Sequence, residues 1–343
     1  MPAAPLPADA WTEMLAAVRH HRVLGFLQSA IEDGVFPATD EQAEQVEDAH
    51  LQAMIWGIHL ERRLLRILDV LETGGVEAVV LKGTSSAHLM YPDPAVRTFN
   101  DNDLLFRSEQ FDDAMGMLVA TGYRRLFPPT SPAFDRHFGK GATLRGRGGD
   151  ELDAHRNLVF ATFGLRIELD ELFRSSRTFV LGGHDVRTLG AETRLLHACY
   201  HAALGDPDPR LSSLRDVAQL LAFGTHSIPH VQWLAHQWRA QAVLARAFRL
   251  CRQHLDLEVG GPLVDWAERH ESTRAERRAI EAYVGRNRHH AVKLRASLPF
   301  LPGPRTKLRF VRAALPSSGF VEQVGQEPRR SWLLRGVRAM FDV

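Results

Sequence analysis

The stretch that decides the fold is Leu81–Phe106, LKGTSSAHLMYPDPAVRTFNDNDLLF. It continues an apolar, β-branched run, Val76–Leu81, that follows Gly74-Gly75 and predicts a buried strand. Lys82-Gly83-Thr84-Ser85 reads as a turn opening a short helix, Thr84–Tyr91. Pro92 and Pro94 end that helix, because proline cannot continue one. The stretch closes on Asn100-Asp101-Asn102-Asp103-Leu104-Leu105-Phe106. Side chains two apart on a strand point to the same side, so Asp101 and Asp103 project together, roughly 7 Å apart at Cα. Two carboxylates so close repel each other, and a bound cation relieves that repulsion. Hard cations such as Mg²⁺ take oxygen ligands, often one or two carboxylates plus substrate phosphates. Asp-Asn-Asp is also ordinary turn chemistry. The strand before it, the Lys-Gly-Thr-Ser turn and Arg97 just upstream favour a site instead.

Moving outward, Ser108 is placed to cap a helix over Glu109–Thr121 with Phe111, Met115 and Leu118 inward. Gly122 ends it, and Tyr123–Leu126 reads as a short strand. The segment Pro128–Asp150 is irregular, glycine-rich and basic, with Arg136, His137, Lys140, Arg145 and Arg147. It is a loop or a hairpin, either solvated or closing over phosphates as a cationic flap. In Glu151–Leu158, Asp153 and His155 alternate with Leu152 and Ala154, as on a strand. Glu168 and Asp170 alternate in the same way around Leu169 and are rival carboxylates.

Both flanks have helical periodicity. Upstream, residues 9–33 carry Leu15, Val18, Leu24, Leu27 and Ile31, and residues 40–73 carry Ile55, Ile58, Leu65, Leu68 and Leu71. The histidines there, His20, His21, His50 and His59, read as surface or core residues. From Thr188 the chain looks wholly helical, in segments 190–204, 210–223, 229–255, 262–270 and 272–297. His197 and His201 lie four apart on one face, but the Glu of an H-E-x-x-H zinc site is missing. The end, 305–343, is basic, with Arg305, Lys307, Arg309, Arg312, Arg329, Arg330, Arg335 and Arg338. It reads as a solvated or partner-facing amphipathic end, with an anionic substrate or membrane surface as the weaker alternative.

The 343-residue chain is 45% apolar and 24% charged, as an ordinary globular protein is. With 42 basic against 41 acidic residues its net charge is +1, so no global field calls for a nucleic-acid partner. Two cysteines, Cys199 and Cys251, far apart in helical patterns, argue for a reducing compartment and against a disulfide framework or zinc site. Met1–Pro7 lacks the marks of a signal peptide, and no stretch approaches the ~20 apolar residues of a membrane span. The expected location is the cytoplasm.

The quoted stretch resembles the signature of the bacterial uncharacterised nucleotidyltransferase family, within the DNA-polymerase-beta-like nucleotidyltransferase superfamily. The shared pattern is a strand ending in Leu81-Lys82-Gly83, a helix ending in Tyr91-Pro92, Arg97, then Asp101-x-Asp103 and apolar residues. Asn102 stands where the family more often has an apolar residue. The resemblance extends over about residues 15–320. It includes an apolar-Asp-x-His segment at Asp153-Ala154-His155, where the family's Asp supplies the third carboxylate, and Leu211–Val217, which resembles its Leu-x-x-Leu-x-Asp-hydrophobic segment around Arg215-Asp216.

The resemblance implies an α+β fold: a small mixed nucleotidyltransferase sheet over 76–187, an N-terminal helical segment over 1–75, a helical region over 188–300 and a basic tail over 301–343. The helices within 76–187 are expected on one face of the sheet, with the helical segments 9–73 and 190–297 packed around it. The implied activity is a Mg²⁺-dependent nucleotidyltransferase, taking a nucleoside monophosphate from an NTP such as ATP to a small molecule or peptide. Two ions are expected, with Mn²⁺ an alternative to Mg²⁺. Asp101 and Asp103 would bind both and Asp153 one, with Glu168 or Asp170 as its rival. Gly83, Thr84 and Ser85 would cradle phosphates, with Lys82 and Arg97 as charge partners. His155, His197, His201 and Arg215 are acceptor-side candidates. Two other classes stand beside this one: a degenerate nucleotide- or partner-binding protein, and a toxin-like modifier of RNA or protein.

Overall fold

The computed structural model describes residues 2–256, 260–285, 290–315, 317 and 320–321. Arg329, Arg330, Arg335 and Arg338 of the basic end therefore lie outside the described residues. Three helices open the chain: α1 (Ala8–His21), α2 (Leu24–Glu32) and α3 (Asp40–Thr73). The periodicity predicted one helix where α1 and α2 stand. The break is at Arg22, which adopts the left-handed conformation, φ 57° and ψ 44°. Its amide donates to the Arg19 carbonyl and the Val23 amide to the Val18 carbonyl, the paired bonds of a Schellman stop. No glycine or proline marks the turn. A capping box, Thr39 with Gln42, starts α3.

The centre of the chain builds one seven-stranded sheet. Its strands are β1 (Ala78–Val80), β2 (Asp101–Phe106), β3 (Arg124–Arg125), β4 (Gly141–Arg145), β5 (Glu151–His155), β6 (Arg177–Leu181) and β7 (His184–Thr188). The order is β3-β4-β5-β2-β1-β7-β6, with β2–β5 and β1–β7 parallel and the other pairs antiparallel. Between strands run α4 (Thr84–Met90), α5 (Phe111–Ala120), α6 (Pro132–Phe138) and α7 (Leu169–Arg174). The cap of α5 is Gln110 rather than Ser108. The basic segment before Asp150 resolves into α6 and β4, the hairpin alternative. Residues 177–188 add the β6–β7 hairpin, whose turn glycines, Gly182 and Gly183, both have positive φ.

After the sheet come α8 (Ala191–Leu204), α9 (Leu211–Phe223), α10 (Ile228–Trp238), α11 (Gln241–Leu255), α12 (Pro262–Glu268), α13 (Arg274–Val284), α14 (His290–Ser297) and α15 (Gly303–Ala313). Arg239, also left-handed, divides α10 from α11. In the basic end, α15 packs Phe310 against Phe134 and Phe138 of α6. Among the described residues no helix is long and apolar enough to cross a membrane.

Strand alternation divides the core between the sheet's two faces, and the helical flanks pack around it on both. Val80, Leu104, Phe106, Leu152 and Ala154 pack with Leu64, Ile67 and Leu71 of α3 and Phe111 of α5. Val79, Leu81 and Leu105 pack with the C-terminal helices. On α3 the buried line runs through Leu60, Leu64, Ile67 and Leu71, whereas Ile55 and Ile58 are 59% and 51% exposed. The apolar stripe read from sequence is therefore rotated along the helix's first half, where α3 carries only part of its surface to the sheet.

Candidate active site

The period of two places Asp101 and Asp103 on the Leu105 face of β2, toward the C-terminal helices. In β5, Leu152 and Ala154 belong to the opposite core, so Asp153 and His155 share the face of Asp103. The parallel β2–β5 register sets Asp103 opposite Asp153 and Leu105 opposite His155. One ligand atom from each of Asp103, Asp153 and His155 lies within 4.8 Å of the other two. The His155 ring Nε2 is 2.9 Å from Asp103 Oδ1, and Thr143 donates to Asp153 at 2.7 Å.

The turn after β1 brings the first cation. Gly83 has φ 67°, and a Cβ there would sit 3.2 Å from the Asp101 carbonyl oxygen, so this turn requires glycine. Lys82, just before it, donates to Asp103 Oδ2 at 2.5 Å and stands 3.7 Å from Asp101 Oδ2. Burial opposes the Lys82 charge, but Asp103 and then Asp101 outweigh it and hold the ammonium above its ordinary range. Burial likewise opposes the Asp103 charge. Lys82 and the His155 hydrogen bond prevail and keep that carboxyl well below the usual range. Thr84 and Ser85 are buried at the start of α4, and Ser85 Oγ has no hydrogen-bond partner.

Two further cations stand near these carboxylates, and only one of them, Lys140 of the basic segment, was marked in the sequence. Arg22, at the α1–α2 turn, puts Nη1 3.7 Å from Asp101 Oδ1. Lys140 is lowered chiefly by burial, against the pull of Asp103 and Asp153. An arginine in an apparently continuous helix gave no signal. Lys140 was one of several basic residues in a segment whose strand was not resolved.

The other candidates divide. Arg97 is buried, and its guanidinium makes a two-pronged bond to Asp216 of α9, at 2.9 and 2.8 Å. Its Nη1 donates to the Thr98 carbonyl, and Tyr91 donates to the same Asp216 carboxylate at 2.8 Å. Arg215 holds its guanidinium 5.5 Å from the Phe26 ring centroid. His197 and His201 share a small cavity with Lys82, Ser86 and Asp216. Burial, then repulsion from His155, pushes His197 down to about 3. Burial, then Lys82, pushes His201 well below its usual value. Both rings are neutral at pH 7. Glu168 and Asp170 are exposed, and Asp170 pairs with Arg107.

Asn102, the departure noted in the motif, points to the other face. Its Nδ2 donates to the Leu60 carbonyl at 3.0 Å, tying β2 to α3.

The donor set fits a hard divalent cation. It offers carboxylate oxygens of Asp103 and Asp153 within reach of one point, with the His155 ring hydrogen-bonded to Asp103 beside them, and Asp101 Oδ1 is buried without a hydrogen-bond partner.

The family described as "Uncharacterised nucleotidyltransferase" matches residues 7–256. No curated protein matches the chain. Among solved structures, the chain is similar to ANT(2'')-Ia in complex with adenylyl-2''-tobramycin, at 16% identity and TM-score 0.37, over 53% of this chain and 97% of that one. It is similar to the lincomycin-bound lincosamide antibiotic adenylyltransferase LnuA, at 17% identity and TM-score 0.34, over 46% and 94% of the two chains. It is also similar to an antigenic nucleotidyltransferase-like protein from Paracoccidioides brasiliensis, at 14% identity and TM-score 0.34, over 65% and 95%.

Proposed function

The chain belongs to the uncharacterised nucleotidyltransferase family, and on that premise we propose that it moves a nucleoside monophosphate from an NTP to a small-molecule or peptide acceptor, releasing pyrophosphate. The observation that carries the proposal is the register of β2 and β5, which sets Asp103 against Asp153 with His155 alongside. Asp101, Asp103 and Asp153 would hold the divalent metal, with His155 hydrogen-bonded to Asp103 beside them. Bound there, Mg²⁺ or Mn²⁺ supplies charge neutralisation and lowers the acceptor's proton affinity.

The remaining work falls to the chain's own side chains. Asp153 takes the proton from the acceptor as its oxygen or nitrogen bonds to the α-phosphorus and the bond to the β-phosphate breaks. Thr143 fixes the Asp153 carboxylate by its hydrogen bond. Lys82 meets the negative charge of the triphosphate, and Gly83, Thr84 and Ser85 line its path. Neutral His197 and His201 border the acceptor side without adding charge. Arg97 positions rather than binds, because both of its prongs are committed to Asp216. Two free, buried cysteines accord with a reducing, cytoplasmic setting. A near-zero net charge favours a small acceptor over a nucleic acid.

The test is transfer from four labelled NTPs, with Mg²⁺ or Mn²⁺, to a panel of hydroxyl- and amine-bearing small molecules and peptides. Activity lost in Asp103→Asn and Asp153→Asn, at unchanged circular dichroism, is the expected result. Equal turnover in the parent and both variants would refute the assignment.

A further inference from the structure

The carboxylates of this centre are matched by cations of the chain itself. Asp101, Asp103 and Asp153 face Lys82, Arg22 and Lys140. Lys82 Nζ contacts Asp103 Oδ2 at 2.5 Å and lies 3.7 Å from Asp101 Oδ2, against two of the carboxylates that would hold the ion. Oxygen ligands lie ~2.1 Å from Mg²⁺, so an ion and an ammonium cannot both take that place.

Arg22 is attached more loosely still. Its contact to Asp101 Oδ1, at 3.7 Å, is an ion pair beyond hydrogen-bond distance, and its buried Nε has no hydrogen-bond partner. The residue holds a left-handed backbone that a non-glycine side chain rarely adopts. From that turn the guanidinium reaches Asp101 of β2. A guanidinium fork matches phosphate oxygens well.

We propose that Arg22 and Lys82 are exchangeable counter-cations: they neutralise Asp101 and Asp103 until a divalent ion and a triphosphate arrive together, and then pass to the phosphate oxygens. Arg22 thereby becomes a phosphate-binding residue supplied by the N-terminal helices, the role that Arg97, locked on Asp216, cannot take. The inference rests on the nucleotidyltransferase reading of the site. Its consequence is coupling. Metal alone must displace cations that have nowhere to go, and triphosphate alone meets three carboxylates. Each ligand removes the other's obstacle, and such coupling is reciprocal, typically about 5- to 150-fold.

The experiment uses the full chain and two probes. Mn²⁺ binding alone is followed by electron paramagnetic resonance of the free ion. Tripolyphosphate binding at saturating Mg²⁺ is followed by calorimetry. Arg22→Gln and Lys82→Met are each expected to bind Mn²⁺ alone about fivefold tighter or better, and Mg-tripolyphosphate about fivefold weaker or worse. Arg22→Lys, which keeps the charge, should restore the parent's weak metal-only binding. Melting curves in chelator confirm that each variant is folded, and a larger Mn²⁺-induced rise in Tm for Lys82→Met is a second expected sign. Variants that match the parent within twofold in metal-only binding overturn the exchange and leave the enzyme reading standing. A parent that binds Mn²⁺ but neither tripolyphosphate nor any of four Mg-NTPs overturns the nucleotide reading, and the exchange with it.

Discussion

Two ionic clusters each lend one residue, Asp216 and Lys82, to the lining of one small cavity, and they are built on opposite principles. In the first, Arg97 meets both oxygens of Asp216, with Tyr91 and the Thr98 carbonyl completing the set. The polar groups are satisfied by fixed partners, so the pair joins β2's approach to α9 and has little capacity to bind anything else. In the second, Lys82, Arg22, Asp101, Asp103, Asp153 and His155 share partners unevenly. Contacts range from 2.5 to 3.7 Å, and one carboxylate oxygen and one guanidinium nitrogen are buried without hydrogen bonds. A saturated pair holds a fold together; an unsaturated cluster can exchange partners, which chemistry requires.

The strongest way to break this contrast is at the unsaturated cluster. Asp103→Asn removes one carboxylate, and a metal centre supplies several kcal/mol of charge stabilisation. That corresponds to a loss in kcat/KM of about a hundred- to a thousandfold, read in the NTP transfer assay. A loss under tenfold would move the chemistry elsewhere.

The matching cut at the saturated cluster should cost stability instead. Arg97→Ala leaves the buried Asp216 carboxylate without its cation, held by the Tyr91 hydroxyl alone, a loss of about 3–5 kcal/mol in denaturant unfolding. Replacing both partners, Arg97→Met with Asp216→Leu, should recover most of it, because two charges no longer need burying. If Arg97→Ala instead unfolds like the parent and only raises the KM for NTP, then Arg97 is a phosphate ligand after all and the contrast collapses.

That second prediction exposes what the sequence could carry. Local signals worked well: the strand before Lys82, the Asp101-x-Asp103 alternation and the Asp153-x-His155 alternation each depend on neighbours a few residues away. The Gly83 turn was legible for the same reason. Long-range partners were not. Nothing near Arg97 tells that its carboxylate lies on α9, 119 residues on. Arg22 was hidden because a Schellman stop at a non-glycine residue looks, in sequence, like uninterrupted helix. The packing of the flanking helices around the sheet follows from the same local alternation, which sends neighbouring apolar residues to opposite faces. Leu104 and Leu105 belong to different cores.

The wall of the cavity that both clusters line gives a smaller effect, set by pH. Burial lowers His197 from 6.5 to about 3, so the folded chain keeps it neutral while the unfolded chain protonates it. Between those values the unfolded state binds more protons, and stability therefore falls as pH falls from 6.5 toward 3. The contribution is fully present above 6.5, and its acid loss reaches at most a few kcal/mol. His197→Phe should flatten that part of the stability–pH curve. An unchanged slope would mean that the ring is not held neutral in that cavity.

The smallest effect is expected at Asn102, on the back of the same strand. Its amide is a fixed, satisfied contact of the Arg97 kind, although it lies between Asp101 and Asp103. The bond from Nδ2 to the Leu60 carbonyl is worth about 0.5–1.5 kcal/mol net. Asn102→Leu deletes it but puts an apolar side chain against Leu60 and the α3 core, a transfer of about 1.5–3 kcal/mol in favour of folding if the space accommodates it. Thr84, 3.5 Å away, would lose a weak contact, and the overpacking of one buried position works against the gain. These terms nearly cancel, so unfolding free energy should change by no more than about 1 kcal/mol. Transfer activity should stay within about twofold, because the substitution leaves the side of β2 that carries Asp103 untouched. An activity loss as large as that of Asp103→Asn, at parental stability, would show that the two faces of β2 are not independent. The boundary between the scaffold and the exchangeable cluster would then have to be drawn through the strand itself.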